Sequence, residues 1–487
     1  MYNINDRLET NDKEIFTILY IGNIPQWKDI IAYGVEWDDS TRGKNNGDLN
    51  KVDYFTPKVP NSGSFIKSTN SKILHIRKLF TDVLQQNYIK AEYKEQNLKF
   101  GSKLVEEIGL DKINFNNFET LNLDHSLIYE AGDDVVQFKG RFENVKYLDL
   151  SSNLFTEINE IFKIIDIFTN LIHLDLNYNR FSNWLENDKK YETITTLKVG
   201  ANYLSITQVN QLSNCFPNLQ KLHLLANYYT NDDIKLLDVK NLKLLDLSYN
   251  HLTSIPKLNV SELNLSHNKI SIIESEPILS YESLDLRNNE VSSWEDLDNL
   301  SIVSPNLKEL RINHNPIFEN LSIDEMTMQL IGRFNGLKKL NGAILSKDEI
   351  EDAELYFMNY ILEKKVQSNL FKINNNQRFN QLLTKYNKVE DIQVVSEIKP
   401  WIKLQIINSQ SNLLINSLIF LKSTSILRFK GIISKQLQDL SILEFKIFYY
   451  INEGTNFAKK FEIENYLGTL NDYSLSNNQN IYISLLS

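Results

Sequence analysis

The chain has 487 residues, too many for one hydrophobic core, and ordinary domain sizes suggest about three domains. A hydrophobic fraction of 42 % with 23 Tyr and 25 Phe marks a folded chain, while a formal charge of −10 and a pI near 5.4 argue against non-specific nucleic-acid binding. The opening MYNINDRLET lacks the basic start and apolar run of a signal peptide, no apolar run reaches about 18 residues, and the single Cys215 lies in an apolar stretch; a cytoplasmic monomer with no membrane contact and a buried thiol is expected.

Residues 1–70 contain YIGNIP, GVEWDDSTRGKNNG, DYF and GSFIK, short strands broken by glycines and Asp/Asn clusters, which predict a small β-barrel. The Gly-Lys pair lacks the four-residue spacer and following Ser/Thr of a P-loop, which sets nucleotide binding aside. Taken in order, GVEWDD, RGKNNG, YF and GSFI resemble a CAP-Gly domain, whose signature loop is usually GKNDG or GKHDG. The resemblance implies a groove for an acidic C-terminal tail ending in an aromatic residue, as on α-tubulin. Its lining would be Gly43, Lys44, Asn45, Asn46 and Gly47 with Trp37 and Phe65. The chemistry agrees, because carboxylates want an ammonium and amide donors, and close backbone approach wants glycine. The plainer reading makes Trp37 a core residue and the glycines turn formers. Three departures stand out: Asn46 replaces the usual Asp, Lys51 stands where a glycine is expected, and IIAY precedes GVEW.

After a connector at 71–117, expected to be helical, the pattern LxxLxLxxN recurs from 118 to 345. Its copies are VKYLDLSSN, LIHLDLNYN, ITTLKVGAN, LQKLHLLAN, LKLLDLSYN, VSELNLSHN, YESLDLRNN and LKELRINHN, with FETLNLDHS as a degenerate first copy. This spacing predicts a leucine-rich-repeat α/β solenoid: a short strand per repeat, leucines inward, and a structural asparagine satisfying backbone groups at each bend. The positions expected on the concave, protein-binding face are Tyr147, Asp149, His173, Asp175, Tyr178, Lys198, His223, Asp246, Tyr249, His267, Asp285, Arg287, Arg311 and His314. At any one of them, Asp in LDLS reads equally well as filler on a solvated strand.

Residues 346–368 read as a capping helix: Ser346 and Glu349 form a capping box, and Ile350, Ala353, Phe357, Tyr360 and Ile361 recur at helical spacing. A polar linker follows at 369–399. Residues 400–487 carry WIKLQII and NLLINSLIFL as strands, STSILRFKGIISKQL as a helix capped by Ser423 or Ser425, and EFKIFYYI and NIYISLL as further strands. That order resembles a ubiquitin-like α+β β-grasp domain. Without a terminal Gly-Gly, a docking module is expected rather than a conjugating one, and Leu427, Phe429, Ile432 and Ile433 are assigned mostly to its core.

The multidomain order, barrel, repeats with LKKLNG and its capping helix, then ubiquitin-like tail, resembles the tubulin-folding cofactor E family. The resemblance implies a chaperone of α-tubulin acting with cofactors B and C, and with cofactor D carrying β-tubulin, in assembling or dissociating the heterodimer. No catalysis is expected. The seven histidines are dispersed, no HExxH, CxxC or GxSxG occurs, and no catalytic residue, metal or cofactor is assigned. The resemblance also implies association with the cytoskeleton, and two rival readings remain: a microtubule-end adaptor, and a shuttle whose ubiquitin-like tail delivers tubulin to the proteasome.

Overall fold

The computed structural model describes residues 2–89, 118–182, 188–276, 279–367, 377–386, 401–437, 440–451, 453–454 and 458–485. Most of the expected connector (90–117) and of the linker (369–376 and 387–399) therefore lie outside the described residues. The chain divides into two compact units, Met1–Lys269 and Ile270–Ser487.

The first unit begins with a five-stranded antiparallel sheet in the order Gly63–Lys67, Ala32–Trp37, Ile15–Gly22, Arg7–Thr10 and Ile73–Leu74. Alternation along these strands sends Leu8, Phe16, Ile18, Val35 and Trp37 into one core, joined by Ile73. The strand Ile73–Leu74 carries the sheet past residue 70, and Lys78–Leu79 pairs with Ile128–Glu130 before the short helix Phe80–Leu84.

The repeats follow. Seven parallel three-residue strands stack in register, Thr120–Asn122, Tyr147–Asp149, His173–Asp175, Thr196–Lys198, Lys221–His223, Leu244–Asp246 and Glu262–Asn264. Their central leucines, from Leu121 through Leu148, Leu174, Leu197, Leu222 and Leu245 to Leu263, are buried in one continuous row. Each leucine contributes about 1.5–3 kcal/mol only when a neighbouring repeat covers it, so the stack is stable where one repeat is not.

The asparagines do the work expected of them. Asn250 Nδ2 donates to Leu247 O of its own repeat at 2.9 Å and to Leu224 O of the preceding repeat at 3.1 Å, while its Oδ1 accepts from Asn227 N at 3.0 Å. Asn153, Asn227 and Asn268 repeat the two-carbonyl grip with bonds of 2.8–3.1 Å. Buried carbonyls that the bend would orphan are thereby paired.

The second unit carries the further repeat strands Ser283–Asp285, Glu309–Arg311 and Lys339–Leu340, with Ala343–Ile344 turning back antiparallel. The capping box forms as its sequence predicts: Glu349 N donates to Ser346 Oγ at 3.2 Å and Ser346 N to Glu349 Oε2 at 2.9 Å, opening the helix Lys347–Gln367. Its Ala353, Phe357 and Ile361 are buried. A helix the pattern did not announce, Ile323–Arg333, packs against it so closely that a Cβ on Gly332 would meet Phe357 Cβ at 2.3 Å.

The last segment is a mixed sheet in the order Leu414–Leu421, Trp401–Asn408, Gln479–Leu485, Phe445–Ile451 and Lys459–Glu462, with the helix Ile426–Gln436 across one face. The neighbours Trp401–Asn408 and Gln479–Leu485 run parallel. Ser425 caps the helix, accepting from Arg428 N at 3.3 Å. Phe429 and Ile433 are core, whereas Leu427 points outward at 53 % exposure, and Lys459–Glu462 is a strand that the sequence reading omitted.

Candidate functional site

The loop after Trp37 is shaped by what its glycines avoid. A Cβ on Gly43 would lie 1.8 Å from Asn61 O, and one on Gly47, where φ is +88°, would lie 1.8 Å from Phe55 O. Backbone bonds tie the loop to the edge strand: Lys44 N and Asn45 N donate to Gly63 O at 2.7 and 3.1 Å, and Gly63 N donates back to Asn45 O at 3.0 Å. Asn45 Oδ1 accepts from Gly47 N at 3.0 Å. Asn46 is spent on Asn61, accepting from its backbone N at 2.6 Å and donating to its Oδ1 at 3.1 Å. What the loop offers outward is therefore the exposed Lys44 ammonium and the Asn45 Nδ2, neither with a partner among the described residues.

Beside this loop four rings meet edge to face. Phe65 lies 5.4 Å from Tyr54, 5.4 Å from Phe55 and 6.5 Å from Tyr20, and Tyr20 lies 5.2 Å from Tyr54. Gly34 makes room for them, since a Cβ there would press 2.4 Å from the Phe55 ring. Phe65, expected to line the groove, sits in this ring cluster, with Tyr20 and Tyr54 as neighbours not assigned from the sequence; the YF pair after the loop was the available signal for Tyr54. Trp37 is a different matter. It is 6 % exposed, packed on Phe16 at 5.3 Å and covered by the Arg42 guanidinium at 4.5 Å. It belongs to the core of the sheet.

On the repeats, the expected concave row divides in two. Tyr147, Asp149, His173, Asp175, Lys198, His223 and Asp246 lie on the strands of the first unit, and Asp285 and Arg311 on those of the second. Here Tyr147 and His173 stack at 4.1 Å, Lys198 Nζ meets Asp175 Oδ2 at 2.9 Å, and His223 Nδ1 lies 3.3 Å from Asp246 Oδ2. Burial, then Lys221 and Lys198, push the His173 imidazole below its ordinary pKa. The aspartates are less free than a solvated strand implies: Asp149, Asp175, Asp246 and Asp285 each accept from the backbone N two residues on, at 2.9–3.1 Å, closing the turn that ends the strand. Arg287 sits just past its strand, paired to Asp285 at 2.6 Å.

Tyr178, Tyr249, His267 and His314 are not on the concave strands. All four occupy the left-handed position before the repeat asparagine, with φ between +56° and +60°, and stand along the turns at the rim of the sheet. Period-two alternation was carried past the strand's end, where the backbone has already turned. Among the described residues, no group of three or more His, Cys, Asp or Glu could hold a metal ion, and no helix is long and apolar enough to cross a membrane.

Residues 4–71 match the CAP-Gly domain family. About half of the chain is similar to Protein PAC2 of Saccharomyces cerevisiae, 34 % identical over 269 residues that make up 52 % of this chain and 52 % of that one. It is also similar to Tubulin-specific chaperone E of Xenopus laevis, 30 % identical over 50 % of this chain and 47 % of the relative, and to Tubulin-folding cofactor E of Arabidopsis thaliana, 28 % identical over 47 % and 43 %. The chain thus spans about half the length of the curated relatives it matches. Among solved structures, an internalin (inlF) of Listeria monocytogenes aligns with 50 % of this chain and 72 % of its own at 20 % identity, with a TM-score of 0.30.

The CAP-Gly domain is fastened to the repeats that follow it. Glu36, buried, accepts from Val59 N at 2.9 Å and Ser62 Oγ at 3.3 Å, which fixes the segment leading to Lys58. Lys58 Nζ reaches Tyr203 O at 3.4 Å, and burial pushes its pKa down. Glu9 lies 2.5 Å from His125.

Proposed function

We propose that the chain is a non-enzymatic tubulin chaperone whose CAP-Gly groove takes the acidic C-terminal tail of α-tubulin while the repeat strands hold the folded body. The observation that carries this reading is that an ammonium, Lys44, and an amide, Asn45 Nδ2, both without a partner among the described residues, belong to the same small domain as the ring cluster of Tyr20, Tyr54 and Phe65. A tail of glutamates closed by an aromatic residue and a carboxylate supplies the complementary groups. Relatives named for tubulin folding support the same assignment. Two modest contacts on one ligand act together through effective concentration.

In this reading the protein is cytoplasmic and works with tubulin-folding cofactors B and C, and with cofactor D carrying β-tubulin, in assembling or dissociating the heterodimer. The ubiquitin-like segment serves as a docking module. The test is complex formation between the purified chain and tubulin, intact or stripped of its C-terminal tails, by gel filtration. Binding should weaken on stripping and with Lys44→Ala. Equal binding of both tubulin forms removes the groove from the mechanism, and binding of neither removes the chaperone reading.

A further inference from the structure

Three of the rim residues, Tyr178, Tyr249 and His267, line one surface in the first unit. A cleft of about 430 Å³ in the first unit runs along the turns after the strands, with Tyr178, Tyr203, Tyr228, Tyr249, Arg180 and Lys269 in its lining. Two alanines open it. At the left-handed position before the asparagine, the outer repeats carry Tyr178 and Tyr249 while the two between carry Ala201 and Ala226, all with φ between +52° and +58°. Tyr203 and Tyr228, edge to face at 5.4 Å, then stand as a wall above that floor.

The polar character of the cleft is one-sided. The hydroxyls of Tyr178, Tyr203, Tyr228 and Tyr249 and the ammonium of Lys269 have no partner among the described residues. Burial drives the Tyr203 phenol well above its ordinary pKa, so it stays a donor. The one carboxylate in the lining, Asp38, is committed to Arg7 at 2.7 Å and Arg180 at 3.3 Å. In a chain of net charge −10, this surface presents donors and positive charge without a free anion. It also adjoins the groove: Phe55 walls the groove, and three residues later Lys58 bonds to the carbonyl of Tyr203.

We propose that this cleft binds an extended acidic peptide, the run of carboxylates that precedes the terminal residue seated in the CAP-Gly groove. The proposal rests on the tail-binding reading above and extends it along the ligand. Lys269 and the tyrosine hydroxyls take the side-chain carboxylates, and the rings of Tyr203 and Tyr228 pack on the backbone between them.

The experiment titrates the full chain with three labelled synthetic peptides by fluorescence anisotropy: a long acidic peptide with a free terminal Tyr, its last few residues alone, and a long acidic peptide amidated and lacking the Tyr. The long peptide should bind about three- to tenfold more tightly than the short one. Lys269→Glu should erase that advantage and leave the short peptide unchanged, and Tyr228→Phe, which keeps the ring, should reduce it. The amidated peptide should bind weakly and lose binding in Lys269→Glu. Equal affinity of long and short peptides, or an advantage that survives Lys269→Glu, overturns the cleft. Failure of the short peptide alone, with Lys269-dependent binding of the amidated one, overturns the groove reading and upholds the cleft.

Discussion

Arg7 and Asp38 meet in a two-pronged ion pair, Nη1 to Oδ1 at 3.0 Å and Nη2 to Oδ2 at 2.7 Å, with the arginine side chain fully buried. The same carboxylate reaches Arg180 of the repeats at 3.3 Å, and Arg7 Nη2 donates onward to the carbonyls of Asn153 and Tyr178 at 3.4 and 3.3 Å. The CAP-Gly sheet is therefore pinned to the solenoid through one shared carboxylate. Removing one member of such a set leaves a buried charge unpaired, a loss of about 3–5 kcal/mol. Asp38→Ala should destabilise the fold by that order in a urea melt, and Arg7→Met combined with Asp38→Leu should recover only part of the loss, because Arg180 keeps its buried charge without its carboxylate. A double variant no better than Asp38→Ala would show that the pair is not what holds the two parts.

Lys51 occupies a conformation meant for another residue. It follows Asn50 in the tight hairpin between Asp48–Leu49 and Val52–Asp53, with φ of +51° and +67° at the two turn positions. Side chains with a Cβ pay roughly 1–2 kcal/mol there, part of which glycine returns through its greater freedom when unfolded. Lys51→Gly should raise stability by up to about 1 kcal/mol in denaturant melts while leaving peptide affinity unchanged. The departure at this site thus alters strain and keeps the backbone path of the loop.

Asn46 answers the other departure. Its Oδ1 accepts from Asn61 N, a bond an aspartate would make equally well, and its Nδ2 faces Asn61 Oδ1. Turning the Asn61 amide by half a revolution presents its NH₂ to a carboxylate instead. Asn46→Asp should therefore fold and bind like the parent, whereas Asn46→Ala leaves Asn61 N short of its acceptor and should cost about 1–2 kcal/mol together with a loss of tail affinity. Calorimetric titration of both variants with an acidic peptide distinguishes them; equal affinity for parent and Asn46→Ala would separate the loop clamp from binding.

The repeat strands and their asparagines were legible because each repeat states the same local requirement, inward apolar residues on a short strand and, in eight of the nine copies, an asparagine at the bend. The loop glycines were legible for a related reason, since a backbone with no room for a Cβ leaves its mark on the residue type. Trp37 was not, because an aromatic beside a binding loop and an aromatic in the core beneath it look alike in one dimension. The Arg7–Asp38–Arg180 set was hidden as well: its members are 31 and 142 positions apart and each reads alone as an ordinary surface charge. The rim tyrosines were misplaced because the left-handed turn that carries them begins inside the repeat consensus, where the residue pattern still alternates.

Glu354 gives the second unit a defined response to acid. Burial alone would raise its pKa, but hydrogen bonds from Lys385 at 2.5 Å and Tyr386 at 2.6 Å, and the Arg378 guanidinium at 2.6 Å, overcome that and hold it below its ordinary value of 4.5. A carboxylate with a lowered folded pKa contributes its full stability above the unfolded value and loses it as pH falls through the folded one. The residues that hold it come from the helix Gln377–Lys385 and its end, which pack through Phe379 and Leu382 against Phe357 and Ile361 of the capping helix. Acidification below about pH 4.5 should therefore loosen this helix first, seen as earlier cleavage by an acid-active protease near residues 377–386. Glu354→Gln should loosen it already at pH 7, by about 1–3 kcal/mol, and flatten the acid dependence; cleavage that rises equally with acid in parent and variant would assign the response to other carboxylates.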